Sequence, residues 1–335
     1  MQRLRRDVDV GRLRRIVQFG IAGLLVFVGV QYFLWVSHFR YGTPYVPRPP
    51  SVEAFLPVSA LVALKAWLAT GVFTTIHPAA LVILLAVLAT AVVFHRGVCS
   101  WVCPFGLLEE YLGRAGIELS GRKLEPPRYL DWALRSIKYL VLAFFVKLIL
   151  IDFSGRAALA FLGTSYNKVA AVKMLDFWLE PGVWTIGIVG FLVVGSLVVQ
   201  NFWCRYLCPY GALLSVVGFL SPATVNVNRD QAACDDCGLC TAACPNYVDV
   251  QSADEVTALE CTRCSQCVAT CPEDALDYRA GPVQLSPRAV GLGVVAIIFL
   301  AIGLAMATGH WHSALGYEQW AELVPAADEI MHTPY

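Results

Sequence analysis

The sequence contains little charge. Only 15% of its 335 residues are Asp, Glu, Lys or Arg, whereas soluble domains carry about 25%. The formal net charge is zero, so the composition gives no sign of the basic surface that binds nucleic acid. With 57% hydrophobic residues and a mean hydropathy of +0.61, the composition predicts a membrane protein.

Apolar segments long enough to cross the hydrocarbon core, which takes about 20 residues, recur along the chain. We predict spans at residues 16–36, 78–94, 132–151, 183–203 and 289–307. A further apolar segment, residues 55–73, contains Pro57 and Lys65, and it could span or lie as a re-entrant or interfacial segment. Basic residues precede the first span and no A-x-A site follows it, so we expect an uncleaved anchor.

Positive charge favours five spans. If residues 55–73 do not span, eighteen of the 25 lysines and arginines fall on one side of the membrane and seven on the other. Lys- and Arg-rich loops stay cytoplasmic, so we expect the N-terminus inside and the tail from residue 309 outside. The predicted location is therefore the cytoplasmic (inner) membrane, with a multi-pass topology.

Eight of the twelve cysteines lie between residues 234 and 271, in two C-x2-C-x2-C-x3-C-P motifs. Three thiolates on a tight loop can hold three corners of an iron–sulfur cube, and in two-cluster ferredoxins the fourth ligand comes from the other motif. We therefore predict two [4Fe–4S] clusters. Their ligands would be Cys234, Cys237, Cys240 and Cys271 for one, and Cys261, Cys264, Cys267 and Cys244 for the other.

Zinc binding and disulfide formation are two other roles possible for these eight cysteines. Four-cysteine sites also bind zinc, but zinc sites usually pair two C-x2-C units rather than four cysteines with a trailing proline. Disulfides suit an even count in an exported chain, yet such close spacing favours shared metal ligation. The segment has no Gly-rich phosphate loop and no Ser/His/Asp cluster, so it would move single electrons without substrate chemistry.

The remaining four cysteines form a repeated pattern. Cys99 and Cys103, and Cys204 and Cys208, both belong to C-x3-C-P-aromatic-Gly motifs, which lie 105 residues apart and follow apolar runs. In a helix, residues i and i+4 share a face, so each pair should project together. Pro104 should end its helix, and the following glycine should permit a turn.

If the duplicated halves pack together, all four of these thiols converge. They could ligate a further cluster or another soft metal, or act as two redox dithiols. Alternatively, they are buried small residues without chemistry, since free cysteine packs like a small hydrophobe. Repetition of the whole motif disfavours that last role, and we favour a metal.

These motifs resemble those of the NapH/NosR/CcoG polyferredoxin family, over about residues 16–280. The text Cys-Ser-Trp-Val-Cys-Pro at 99–104, followed by a basic loop and a span, most resembles NapH-type quinol-dehydrogenase ferredoxin proteins. The resemblance implies electron transfer between the quinone pool and a partner reductase or redox protein, with quinol as substrate. A span and a tail follow the ferredoxin motifs here, a departure that favours a different partner.

Three functions follow from this resemblance. The chain could be an electron-transfer subunit of an oxidoreductase complex, an accessory factor that reduces a metal such as copper during maturation of another respiratory enzyme, or a redox sensor. We favour the first, because no output domain for a sensor is visible. An operon with a reductase rather than copper-handling genes would favour it over the second.

The predicted fold is mainly α: a polytopic helical membrane protein with a cytoplasmic, ferredoxin-like α+β module. We place the membrane domain at residues 1–221, the two-cluster module at 222–287, the final span at 288–308 and an external tail at 309–335. Histidines at the outer ends of spans could hold haem or line a quinol pocket, although lone interfacial histidines are more often polar anchors. They are His38, His77, His310 and His312, with His332 in the tail.

Overall fold

The computed structural model describes residues 2–331, and the fold is mostly helical, at 65%. The mainly α class is thus confirmed. The helices are α1 (Gln2–Tyr41), α2 (Pro57–Thr70), α3 (Pro78–Phe94), α4 (Gly97–Trp101), α5 (Pro104–Ser120), α6 (Arg128–Phe145), α7 (Gly155–Gly163), α8 (Ser165–Lys168), α9 (Ala170–Leu179), α10 (Val183–Val198), α11 (Pro209–Leu220), α12 (Leu239–Ala242), α13 (Gln266–Thr270), α14 (Pro287–Ala307) and α15 (Tyr317–Leu323). Two π-helical segments, Val146–Asp152 and Trp203–Leu207, and a 3-10 helix, Pro50–Phe55, complete the helical part.

A small antiparallel sheet frames the eight-cysteine segment. Its strands are β1 (Asn226–Arg229), β2 (Glu255–Val256), β3 (Leu276–Ala280) and β4 (Val283–Leu285), in the order β2-β1-β3-β4. On the buried face, Val227 pairs with Val256 on one side and with Tyr278 on the other. Both cysteine motifs lie between β1 and β3, so this pairing holds their ends together.

Fewer helices than the five predicted spans meet the requirements of length and composition for crossing a membrane. Among the described residues, Val10–Tyr41 and Pro287–Ala307 do so, and a third span results if Ala170–Leu179 and Val183–Val198, bent by 77°, count as one. The apolar helix α3 has 17 residues, and α6 contains Asp131, Arg135 and Lys138. By length and composition, the described residues therefore contain two or three candidate spans.

The segment at residues 55–73 forms a helix of 14 residues, α2. At about 1.5 Å per residue, its length is about 21 Å, which is less than the hydrocarbon thickness of about 30 Å. Its lysine does not enter an apolar surface unpaired, because Lys65 Nζ donates to the carbonyl oxygen of Leu150 at 2.7 Å. Gly71, with φ +73°, ends the helix in the left-handed conformation that glycine adopts at little cost.

The described chain forms two compact units. Unit one contains residues up to 22, 87–143 and 188–298, and unit two contains residues 23–86, 144–187 and those from 299 onward. Unit two has a core between α2 and α7, in which Val62, Ala66, Ala158 and Leu162 are buried. All twelve cysteines belong to unit one.

Helix α5 of unit one packs closely against α10. A Cβ atom on Gly116 would lie 1.8 Å from the carbonyl oxygen of Leu197, a distance that no side chain can adopt without moving a backbone. By contrast, Gly190 on α10 has no atom within 4 Å of such a Cβ. The missing side chain at position 116 therefore sets how close the two halves of the duplicated region come.

Substitution of this glycine should destabilise the protein. We expect Gly116→Ala to lower the free energy of unfolding by about 1–3 kcal/mol, the usual cost of overpacking. Gly190→Ala should raise the free energy of unfolding by up to about 1 kcal/mol, because alanine loses less conformational entropy than glycine when a helix folds. Thermal unfolding of the purified variants tests this contrast, and equal melting temperatures for the two would contradict the packing.

Candidate functional site

The two cysteine motifs between β1 and β3 adopt the same backbone conformation. The residues before and after the second cysteine have positive φ in both, at Asp236 (+55°) and Gly238 (+75°), and at Arg263 (+53°) and Ser265 (+66°). Such left-handed residues turn successive backbone N–H groups inward and form the concave loops found at many iron–sulfur sites. The Tyr278 hydroxyl accepts a hydrogen bond from the Ser265 N–H at 3.1 Å and supports the strained turn.

Each of the two C-x2-C-x2-C-x3-C-P motifs contributes cysteines to both of two separate cavities. One cavity is lined by Cys244, Cys261, Cys264 and Cys267. A second cavity is lined by Cys234, Cys237, Cys240 and Cys271. We call them the proximal and the distal cavity. The fourth cysteine of each motif thus lies with three of the other, in the two sets that the spacing predicts; their ligation of clusters stays a prediction.

The donor chemistry of these cavities fits iron–sulfur clusters. Burial raises the pKa of Cys244 to about 12 and also raises the pKa of Cys264 and Cys267, and metal binding to such thiols releases their protons. Four cysteine sulfurs line each cavity, and four thiolates are the ligand set of a [4Fe–4S] cluster. Four sulfurs spread around a cavity suit a group with several metal atoms.

The C-x3-C-P pairs lie at helix breaks, as predicted, but a new helix follows each break. Cys99 lies in α4, which ends at Trp101, and Cys103 is the N-cap of α5, with φ −69° and ψ 123°. The π-helical segment Trp203–Leu207 likewise ends before Cys208, the N-cap of α11, with φ −72° and ψ 105°. Pro104 and Pro209 therefore begin new helices, because the first helical position needs no backbone N–H and favours the fixed φ of proline.

The glycines after these prolines do not form the predicted turns. Gly106 and Gly211 are helical, and both sit where another group comes close. A Cβ on Gly106 would lie 1.9 Å from the carbonyl oxygen of Cys99, and one on Gly211 would lie 2.8 Å from Arg96 Nη2. The motif needs glycine for space rather than for a turn.

The four cysteines of the two repeats lie together. The pKa of Cys204 is raised by burial and then by the charges of Cys208, Cys103 and Cys99. Burial also raises the pKa of Cys103 to about 12, with further contributions from Cys99 and Cys208. Burial raises the pKa of the Tyr210 hydroxyl, and Cys103, Cys99 and Cys208 raise it further. We call this group the four-cysteine site.

A buried arginine joins the four-cysteine site to the loop of the proximal cavity. Arg96 donates from Nη2 to the carbonyl oxygen of Cys204 at 3.0 Å and from Nη1 to Glu260 Oε2 at 2.8 Å. Glu260, the residue before Cys261, also accepts from Lys138 Nζ at 2.8 and 2.7 Å. The two cations outweigh burial and lower the pKa of Glu260, so the carboxylate stays charged.

The first repeat holds the loop that begins at Cys261. His95 Nδ1 lies 2.9 Å from the Cys261 carbonyl oxygen, and Ser100 Oγ donates to that of Thr262 at 2.7 Å. Trp101 Nε1 donates to the next carbonyl oxygen, of Arg263, at 3.1 Å. Three successive carbonyls of the proximal loop are thus fixed by the segment that carries Cys99.

The second repeat holds the segment that follows Cys244. Asn201 Nδ2 donates to the carbonyl oxygen of Pro245 at 3.2 Å and to Asn246 Oδ1 at 3.0 Å. Arg205 also donates to the Asn246 carbonyl, and it pairs with Asp131 at 2.7 and 2.8 Å. Both repeats therefore hold parts of the proximal cavity.

These supporting residues were not singled out from the sequence. The duplication contained a signal for them, because residues 96, 100 and 101 of the first repeat align with 201, 205 and 206 of the second. Polar side chains at matched positions on the ends of two apolar runs indicate a shared partner. Their partner in the cysteine-rich segment could not be identified from the sequence.

The predicted histidines have separate partners in unit two. His38 Nε2 lies 2.8 Å from the Tyr317 hydroxyl, and His310 Nδ1 lies 3.1 Å from Thr308 Oγ1. His312 is exposed, whereas His77 is buried against Glu53. A further predicted residue, His332, lies outside the described part of the chain.

Comparison with protein families matches both cysteine regions. Residues 76–127 and 181–224, which contain the two C-x3-C-P motifs, match a 4Fe-4S binding domain. Residues 226–272, which contain the other eight cysteines, match a 4Fe-4S dicluster domain. The four-cysteine site therefore falls in segments similar to iron–sulfur proteins.

Curated relatives cover most of the chain. YccM of Escherichia coli K12, whose name gives it as a candidate electron transport protein, is 36% identical over 329 residues, which are 95% of this chain and 91% of that protein. The ferredoxin-type protein NapH of the same organism is 27% identical, over 78% of this chain and 86% of its own length. The regulatory protein NosR of Pseudomonas aeruginosa is 28% identical over 54% of this chain and 24% of its own. No solved structure matches the chain.

Proposed function

Because the chain belongs to the NapH/NosR-type membrane polyferredoxin family of iron–sulfur electron-transfer proteins, we propose that it passes electrons from membrane quinol to a partner reductase or redox protein. One observation supports this proposal: the thiols of repeats 105 residues apart raise one another's pKa, and the same repeats hold the proximal loop. Such a connection is what electron transfer between the two regions requires.

We propose three [4Fe–4S] sites. Two are held by the cysteines of the proximal and distal cavities, and the third by Cys99, Cys103, Cys204 and Cys208, in place of a dithiol pair. The match of both C-x3-C-P segments to a 4Fe-4S binding domain supports the third. When bound, each cluster takes up and releases one electron at a time. The residues around them fix the loops and supply hydrogen bonds and charge, which tune such sites.

The order of the sites follows from their neighbours. Arg96 and Glu260 connect the four-cysteine site with the loop of the proximal cavity, so we place the proximal set next to it. The distal cavity includes Cys237, which is exposed. An exposed ligand gives a partner protein access, so we assign the exit of electrons to the distal set.

Quinol-driven reduction tests the proposed function. Anaerobically purified protein, mixed with a short-chain quinol, should become reduced at its iron–sulfur clusters, with loss of visible absorbance and appearance of EPR signals. Dithionite gives the reference for complete reduction. Protein that dithionite reduces but quinol does not would contradict a quinol-oxidising role.

We also propose that the cysteine module lies on the cytoplasmic side, in a five-span topology. The distribution of eighteen against seven basic residues supports this orientation. A reporter fused after Arg279 should then behave as cytoplasmic, and one fused at the C-terminus as external. An external signal at Arg279 would overturn the orientation.

A further inference from the structure

An arginine lines each of the two cysteine cavities. Arg263, which stands between Cys261 and Cys264 in the chain, lines the proximal cavity, and Arg229 of β1 lines the distal cavity. Arginine stays positively charged in proteins, because its guanidinium does not lose a proton. The two cavities differ in how far other side chains offset that charge.

The guanidinium of Arg263 is buried and bonded to neutral groups. The residue is only 1% exposed. Nε donates to the carbonyl oxygen of Val225 at 2.7 Å, Nη1 donates to that of Val256 at 3.3 Å, and Nη2 donates to Asn226 Oδ1. On its other side, Asn226 bonds to Glu255, but that carboxylate is exposed and is screened by solvent. Arg263 is therefore satisfied as a donor and keeps its full charge.

Other cations surround the proximal cavity. Glu260, the carboxylate beside Cys261, is already paired with both Arg96 and Lys138, and two cations with one carboxylate leave a positive charge. Lys123 Nζ donates to the carbonyl oxygen of Cys244 at 2.6 Å. The charge of Arg263 thus adds to a surrounding that is already positive.

Carboxylates offset the charge of Arg229 at the distal cavity. Its Nη1 lies 3.2 Å from Asp236 Oδ1, and its Nη2 lies 3.5 Å from Asp254 Oδ1. Asp235 lines the distal cavity as well. Nη1 also donates to Cys234 Sγ at 3.6 Å. One cation with three carboxylates leaves this cavity with a negative surrounding.

The two motifs carry opposite charges at one matched position. Asp236 and Arg263 each precede the second cysteine of their motif, and they have similar positive φ, at +55° and +53°. Since the two loops share this backbone conformation, they differ here in charge rather than in shape.

Charge beside an iron–sulfur cluster changes its reduction potential. Reduction takes one electron from a donor and adds it to the cluster, so the cluster becomes more negative by one charge, and no bond forms or breaks. Burial opposes this added charge. A buried cation favours it, because charges interact strongly where the dielectric is low.

We infer that Arg263 raises the reduction potential of the proximal cluster, so that this cluster accepts an electron before the distal one. The inference rests on the proposed function and adds to it the residue that sets the order of reduction. A hydroquinone is a mild reductant, so a raised potential at the next acceptor favours the entry of its electrons. The electron would then stay at the proximal set until a partner oxidises the distal set.

A redox titration of the wild-type protein tests this order. Anaerobic full-length protein is titrated with dithionite and redox mediators, while EPR follows the signal of each cluster. The proximal signal is the one lost in Cys264→Ser, and the distal signal is the one lost in Cys237→Ser. The proximal signal should appear at the higher potential. If the distal signal appears first, the inference is overturned.

Substitution of Arg263 tests the charge itself. Arg263→Gln should lower the equilibrium constant for one-electron reduction of the proximal cluster about tenfold, which is about 59 mV. Arg263→Lys keeps the charge but loses the planar set of donors, and its constant should stay within about threefold of the wild-type value. A structural role predicts instead that both variants shift alike. That result, or no shift in Arg263→Gln, would overturn the inference.

Arg279→Gln is the matched control. Arg279 lies on β3, is exposed and pairs with Asp277 at 3.0 Å. The same chemical change at this position should leave both potentials unchanged. If Arg263→Gln loses the proximal cluster, which iron analysis shows, the order in the wild type and the potential of Arg263→Lys decide.

The outcomes separate this role from the proposed function, because the titration uses dithionite and no quinol. If the potentials shift as predicted but quinol does not reduce the wild-type clusters, the quinol-oxidising role fails and the role of Arg263 stands. If quinol reduces the clusters and Arg263→Gln keeps the wild-type potential, only the role of Arg263 is wrong.

Discussion

Cys103→Ser and Cys208→Ser should each abolish quinol-driven reduction of the remaining clusters, while dithionite still reduces them. Each variant removes one of the four thiols proposed to hold the third cluster, whose pKa values are raised by burial and by one another. Loss of a supporting partner around a metal site usually costs about 10- to 100-fold in affinity or activity, and loss of a ligand should cost more. Stopped-flow absorbance under anaerobic conditions measures both rates.

The same chemical change in the distal cavity provides the control. Cys237→Ser alters a cysteine that lines the distal cavity and is not one of the four cysteines of the repeats. It should remove the distal cluster signal and leave quinol-driven reduction of the others. If Cys103→Ser and Cys208→Ser react with quinol at the wild-type rate, the four cysteines are structural and the proposed path is wrong.

Glu260→Gln should be among the most destabilising single substitutions in unit one. It leaves the fully buried Lys138 and the nearly buried Arg96 without their carboxylate. Removal of one partner from a buried ion pair costs about 3–5 kcal/mol, because an uncompensated charge stays buried. We therefore expect a large fall in the melting temperature of the full-length protein.

A surface ion pair gives the comparison for this effect. Lys147 and Asp152 are paired but are 69% and 44% exposed, and Asp152→Asn should change the free energy of unfolding by at most about 1 kcal/mol. Similar melting temperatures for Glu260→Gln and wild type would show that the network around Arg96 contributes little. That outcome would also weaken the proposed connection between the two cysteine regions.

Short-range features were well predicted from the sequence. The family resemblance is confirmed, because it rests on motifs whose spacing is dictated by ligand geometry. The grouping of the eight cysteines around two cavities follows from the same geometry, since three cysteines on one loop need a fourth from elsewhere. The mainly helical class follows from long apolar runs.

Local backbone detail at the C-x3-C-P motifs was predicted in part. The helix before Pro104 ends, as predicted, but proline is also compatible with the start of a helix, and the new helix that begins at Pro104 was not predicted. Gly106 was predicted to form a turn. Its actual role, to leave room for the carbonyl oxygen of Cys99, depends on the tertiary structure and could not be predicted from the sequence. The spacing of the cysteines was informative, but their secondary structure was not.

Long-range partners could not be predicted. Arg14 lies in a basic N-terminal cluster that was expected to set only the topology, yet it is buried and paired with Glu110. The sequence does not distinguish Glu260 from other acidic residues. Only the structure shows that it pairs with Arg96 and Lys138. Such pairs join positions 96 to 164 residues apart, and no local periodicity encodes them.

Iron and sulfide analysis of the anaerobically purified full-length protein tests the central claim most directly. Three [4Fe–4S] sites predict about twelve iron and about twelve sulfide per chain, falling to about eight of each in the double variant Cys103→Ser with Cys208→Ser. A wild-type content of about eight, unchanged in that variant, would show that the four-cysteine site holds no cluster and would contradict the account.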